Sequence, residues 1–212
     1  MHQQQHANWL ARRMFLVGSA AAMAGLPGIA RAQGQAQAPR LSARIADFVT
    51  SFDLKQAPPL AIERARTAFV DTVGVTLAGS TEKPAEIVRD MVREEGAGQA
   101  VTVIGSPLKT SPQLAALANG VASHALDFDF TFQQGQLMAP VIPALLPLAE
   151  QTGATQAEVL AAFITGFEVC ARLSRANPNH NGGGSWHGTS TIGAISAAVA
   201  CARLMKLSLI HI

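Results

Sequence analysis

The sequence predicts an all-α fold, a multi-helix bundle, and three observations carry that prediction. Apolar residues recur at helical spacing from Leu41 onward, in stretches that open on proline or close on glycine. Residues 100–105 alone have extended character, and one isolated strand cannot build a sheet. The composition is 49% hydrophobic and 14% charged, with no tyrosine, which suits helices packed through small side chains. A chain of 212 residues can fill one core.

Residues 1–32 read as an export leader of the twin-arginine type. Arg12-Arg13-Met-Phe-Leu precedes a weakly apolar run, and Ala30-Arg31-Ala32 has the form of a cleavage site. The run is too short, and too rich in alanine and glycine, to be a stable membrane anchor; about 20 apolar residues are usual. The expected location is therefore the periplasm. Residues 33–40 read as a linker. The formal charge of +2 comes from the leader, which holds three arginines and no acid; the remainder has 13 basic and 14 acidic residues. No basic stripe remains to bind nucleic acid.

The helices follow in order. The first has Leu41, Ile45, Phe48, Val49 and Phe52 on one face. Pro58-Pro59 opens the second, with Ile62, Ala65, Phe69, Val70, Val73 and Leu77 expected inward and Gly79 as its stop. Pro84 opens the third, with Ile87, Val88, Met91 and Val92 inward and Gly96 after it. Ser111-Pro112 starts the fourth as N-cap and N1, with Leu114, Leu117, Val121 and Ala125 inward. The fifth spans 139–152 before Gly153. The sixth begins at the capping-box pattern Thr155-Gln-Ala-Glu158 and runs to about Arg175. The seventh spans 190–206, with Gly193, Ala194, Ala197, Ala198 and Ala202 allowing close approach of a neighbour.

Two clusters carry candidate chemistry. Residues 119–131 read Asn-Gly-Val-Ala-Ser-His-Ala-Leu-Asp-Phe-Asp-Phe-Thr. His124 and Asp127 share a helical face, and Asp127 and Asp129 flank Phe128 as alternate residues of an extended segment do. Paired carboxylates in a partly apolar pocket split their pKa values, which suits acid–base work; a solvated turn at a helix end is the plainer reading. His187 follows a loop containing Gly182-Gly183-Gly184 and precedes a helix start at Thr189/Ser190. Unpaired N–H groups there attract a carboxylate, and the imidazole can move a proton; packing against Trp186 is the alternative. His180 lies in the same loop. Arg172, Arg175 and Arg203 are weaker candidates for binding carboxylates. Cys170 and Cys201 sit in apolar helical runs without zinc-ligand spacing and read as buried thiols.

From about Ile45 to Leu207 the chain resembles the MmgE/PrpD family, which includes 2-methylcitrate dehydratase and cis-aconitate decarboxylase. The resemblance rests on residues 64–79, the Asn119-Gly…His-Ala-Leu-Asp-Phe-Asp run, Ala139-Pro-Val-Ile-Pro-Ala-Leu and Trp186-His187. It implies a helical domain with a smaller lid domain, a homodimer, no cofactor, and a site for small di- or tricarboxylic acids. Asp127, Thr131 and His187 match its active-site positions. Phe130 stands where the family has Asp, and Gln136-Leu137-Met138 where it has His-Pro. Glutamine hydrogen-bonds but transfers no proton.

The resulting expectation is a lyase (dehydratase or decarboxylase) or isomerase that removes a proton α to a carboxylate. His187 and Asp127 would be catalytic, and Thr131 and Gln136 substrate-binding, with no metal. Residues 41–207 would be a truncated helical domain without its lid, inactive as it stands, and 208–212 a tail outside the family pattern. The alternatives are a non-catalytic periplasmic binder of carboxylic acids and a metal site made from His124, Asp127 and His187.

Overall fold

The structure, a computed structural model, describes residues 40–96, 98, 100–133, 135–136, 138–178 and 186–208. The leader, most of the linker, His180 and the three glycines lie outside these residues. The described residues form seven α-helices: α1 (Leu41–Ser51), α2 (Pro59–Gly79), α3 (Lys83–Glu95), α4 (Pro112–His124), α5 (Val141–Thr152), α6 (Gln156–Ala176) and α7 (Gly188–Leu204). The all-α expectation holds. No helix among the described residues is long and apolar enough to cross a membrane.

Most helix ends form for local reasons. Ser111 caps α4 by accepting from the Leu114 N–H, and Pro112 follows it. Thr155 and Glu158 form a reciprocal capping box at α6. Gly96 and Gly153 take the left-handed conformation after α3 and α5, at φ 62° and 63°. The extended segment is not a lone strand. β1 (Val101–Thr102) pairs antiparallel with β2 (Lys109–Thr110), in the register Val101↔Thr110 and Thr102↔Lys109.

The main core lies among α2, α5, α6 and α7 and includes Ile142, Leu145, Leu160, Phe163, Cys170 and Ile192. Phe69 meets the Phe163 ring edge-on at 5.2 Å, and Phe132 meets Phe167 at 4.8 Å. Full burial of side chains such as Ile142 and Leu145 contributes roughly 1.5–3 kcal/mol each. A smaller core beneath the hairpin joins Val92, Val101, Val103, Ala115 and Ala118. The α6–α7 contact is close because Gly166 presents no side chain. A Cβ there would lie 2.9 Å from both the Ala200 methyl and the Ser196 carbonyl oxygen.

Several inward assignments are corrected. Leu41, Val70, Leu77, Ile87, Met91 and Leu117 are exposed. On α2 the buried stripe runs through Ala65, Thr72, Thr76 and Gly79 instead. Thr76 satisfies its hydroxyl by donating to the Thr72 carbonyl at 2.6 Å, so a polar residue occupies a face that counting apolar residues cannot find. Gly79 is the last helical residue rather than a left-handed stop, and a Cβ there would collide with the Ala122 carbonyl of α4. Ala194 and Ala198 face outward on α7, where Gly193, Ser196 and Ala200 are buried.

Candidate active site

Helix α4 ends at His124, and the chain turns at once. The Asp127 N–H donates to the His124 carbonyl at 3.1 Å, and Asp127 takes φ 57°. Asp is among the few non-glycine residues that adopt this conformation readily. The turn gives the two carboxylates different surroundings, although an oxygen of each lies within 4.8 Å of the other. The Asp127 side chain is 77% exposed, while that of Asp129 is 3% exposed. The next residues fold back on themselves. Phe132 N–H donates to the Gly135 carbonyl at 2.9 Å, and the Ser174 hydroxyl of α6 hooks Gln133 at 2.5 Å.

His124 is held by the buried carboxylate. Its Nδ1 lies 2.9 and 3.1 Å from the two Asp129 oxygens and 4.0 Å from Asp127. Asp127 instead accepts from the Gln136 amide at 2.9 Å. An ionised carboxylate only accepts, so Asp129 requires hydrogen on Nδ1 and leaves Nε2 as the nitrogen open to a ligand. The ligand atoms of His124, Asp127 and Asp129 lie within 4.8 Å of one another. His124 and Asp129 bond each other, Asp127 bonds Gln136 outside the cluster, and His187 does not belong to the cluster.

His187 is the N-cap residue of α7, and its own side chain makes no capping hydrogen bond. Its Nδ1 lies 3.2 Å from the Ser190 hydroxyl. A groove of about 610 Å³ brings His187, Thr189 and Ser190 together with His124, between walls that include Pro84, Leu117, Pro140 and Pro143. The first turn of a helix carries N–H groups without intrahelical partners, which favour an anion. The groove is otherwise apolar, so a bound carboxylate would be drawn to that end.

The predicted residues therefore separate. His187 joins His124, with which the sequence had paired it only as a metal ligand. Asp127 joins Gln136. Thr131 lines a different cavity of about 740 Å³, beside Arg64, Phe128 and Phe130. Asp129 was read as half of a carboxylate pair with Asp127; an oxygen of each lies within 4.8 Å of the other, and Asp129 is also the hydrogen-bond partner of a histidine. Its spacing from His124, with Phe128 between it and Asp127, was the available signal, but burial in an irregular turn leaves no periodic trace. Two arginine candidates are structural. Arg172 pairs with Glu168 at 2.7 Å, and Arg203 donates to the Thr50 and Phe52 carbonyls at the end of α1. Burial raises the pKa of both cysteine thiols, which keeps them protonated and inert.

The sequence profile of the MmgE/PrpD N-terminal domain matches residues 43–211. The chain belongs to the MmgE/PrpD family. Among curated relatives, human cis-aconitate decarboxylase is 30% identical over 154 residues, covering 69% of this chain and 32% of that protein. Mouse cis-aconitate decarboxylase is 28% identical over 155 residues, covering 70% and 32%. The cis-aconitate decarboxylase-like protein oryM of Aspergillus oryzae is 26% identical over 182 residues, covering 79% and 37%. This MmgE/PrpD domain thus spans about a third of the length of the curated relatives it matches.

Proposed function

We propose that this MmgE/PrpD domain supplies one wall of a cofactor-independent lyase or isomerase site for a small di- or tricarboxylic acid. The observation that carries the reading is His187 at the N-terminus of α7, in a largely apolar groove shared with a second histidine. The helix end attracts a carboxylate, and the imidazole exchanges a proton beside it. The family and the relatives named as cis-aconitate decarboxylases support the substrate class. Asp127, joined to Gln136, orients polar substrate groups at the rim, and Gln136 holds oxygen without moving a proton. Thr131 lies in the neighbouring cavity, so its binding role belongs there, beside Arg64. Export through the Arg12-Arg13 leader and assembly as a homodimer belong to the same reading.

The test uses the full-length protein with cis-aconitate, 2-methylcitrate and related acids, following CO₂ release, alkene absorbance and solvent deuterium uptake. The expected result is turnover that falls by about 10²–10⁴-fold in His187→Ala, with melting unchanged. Unchanged turnover in that variant would remove His187 from the chemistry. Failure of the wild-type protein to turn over any of these acids would end the lyase reading.

A further inference from the structure

The groove that holds His187 has a second imidazole in its lining, and that imidazole is the better positioned of the two. His187 rests on an exposed serine hydroxyl. His124 rests on a carboxylate whose side chain is 3% exposed, with both oxygens within 3.1 Å of Nδ1. A buried charge needs a partner, and His124 is the hydrogen-bond partner found for Asp129 among the described residues. The contact fixes both the plane and the tautomer of the ring, so Nε2 is presented unprotonated in the neutral form. The anchoring is strict because α4 ends at His124 and the left-handed turn at Asp127 brings residue 129 back beneath the ring. Among the described residues that line the groove, the two histidines alone are titratable.

We infer that His124 is a second proton-transfer residue of this groove, with Asp129 as its positioning residue. The inference deepens the lyase reading and rests on it. In an elimination, His124 Nε2 takes the proton α to the substrate carboxylate, and the C–H electron pair becomes the new C=C bond. The β-hydroxyl leaves as water with a proton from the His187 imidazolium. In a decarboxylation, the C–C electron pair stays on the carbon as CO₂ departs, and the His124 imidazolium protonates that carbon. Asp129 moves no proton in either case. It holds the ring and balances its charge when Nε2 is protonated.

The experiment uses the full-length protein and three variants. His124→Gln is expected to lower kcat by about 10²–10⁴-fold with little change in KM. His124→Ala is expected to regain activity when imidazole is added. Asp129→Asn is expected to shift the His124 ring from the Nδ1–H to the Nε2–H tautomer in nitrogen NMR and to move one limb of the pH–rate profile. The groups that face His124 and bear on that limb are Asp127, Asp129 and, across the groove, His187. A kcat within about twofold of wild type in His124→Gln would overturn the inference, because general acid–base catalysis contributes at least a hundredfold. So would a tautomer indifferent to Asp129→Asn, or a His124→Ala variant that melts early and does not respond to imidazole. If His187→Ala is inactive while His124→Gln is active, the inference alone falls. If the wild-type protein turns over nothing, both readings fall together.

Discussion

The seam between α6 and α7 and the hairpin beside α4 are held by opposite means. The seam is close contact between small groups, with Gly166 of α6 against Ser196 and Ala200 of α7. The hairpin is hung on polar hooks. Asn119 accepts from the Ile104 N–H at 2.8 Å and donates to the Thr102 carbonyl at 3.3 Å. Glu150 of α5 accepts from the Thr102 N–H and hydroxyl, both at 2.9 Å, with Lys109 at 3.8 Å. A seam fails when volume is added, whereas a hook fails when a partner is removed. The candidate site belongs to the second kind, because His124–Asp129 and Asp127–Gln136 are hydrogen-bonded pairs in an irregular turn.

The largest effect is expected in the seam. Gly166→Leu places a branched side chain where even a Cβ would be 2.9 Å from the facing helix backbone. Overpacking of this sort costs up to about 3 kcal/mol, which outweighs the roughly 1 kcal/mol that replacing a helical glycine returns. The net loss of up to about 2 kcal/mol should lower the melting temperature by roughly 4–8 °C. Ala200→Gly in the same protein should recover part of the loss, since contacting residues couple in a double-mutant cycle. A Gly166→Leu variant that melts with the wild type would break the contrast between seam and hook.

Asn119 tests the other side. Asn119→Ala removes little volume but leaves the Ile104 N–H and the Thr102 carbonyl without their partner. The expected cost is about 1–3 kcal/mol, with faster hydrogen exchange at the Ile104 amide. Unchanged exchange at that amide would show that the hook does not hold the hairpin.

The same contrast decides what was legible in the sequence. Helix ends carry their signals within a few residues, so Ser111-Pro112, Thr155 with Glu158, Gly96 and Gly153 all mark boundaries that the structure keeps. The buried stripe of α2 was less legible, because it includes two threonines: the Thr76 hydroxyl is satisfied by the Thr72 carbonyl of its own helix, and both pack as small side chains. Asn119 opened the motif that drew attention to chemistry, yet its amide serves the hairpin 15 to 17 residues earlier. Asp129 shows the same limit. Its distance from His124 in the chain was plain, but only the reversal at Asp127 turns that spacing into a buried contact.

The smallest effect sharpens the account of the hooks. The backbone N–H of Thr102 holds the Glu150 carboxyl below its ordinary value of 4.5, against the opposing effect of burial; the Thr102 hydroxyl and Lys109 add to the lowering. A carboxylate whose folded pKa is depressed contributes stability that is fully present above the unfolded value. That contribution is lost as pH falls through the folded value. The window therefore opens near pH 4.5 and extends below it. Glu158 titrates in the same direction: the Lys206 ammonium and the Thr155 N–H hold it at about 2, so wild-type acid sensitivity alone is ambiguous. The difference between wild type and Glu150→Gln removes that ambiguity, because Glu158 is common to both. Glutamine keeps an acceptor oxygen for Thr102 but does not ionise, so the variant should lose melting temperature less steeply below pH 4.5. The Glu150 side chain is 38% exposed, so solvent screening keeps the gap under about 1 kcal/mol. Parallel melting curves from pH 7 to pH 3 would mean that the hairpin is held by Asn119 and its apolar underside without the charged hook.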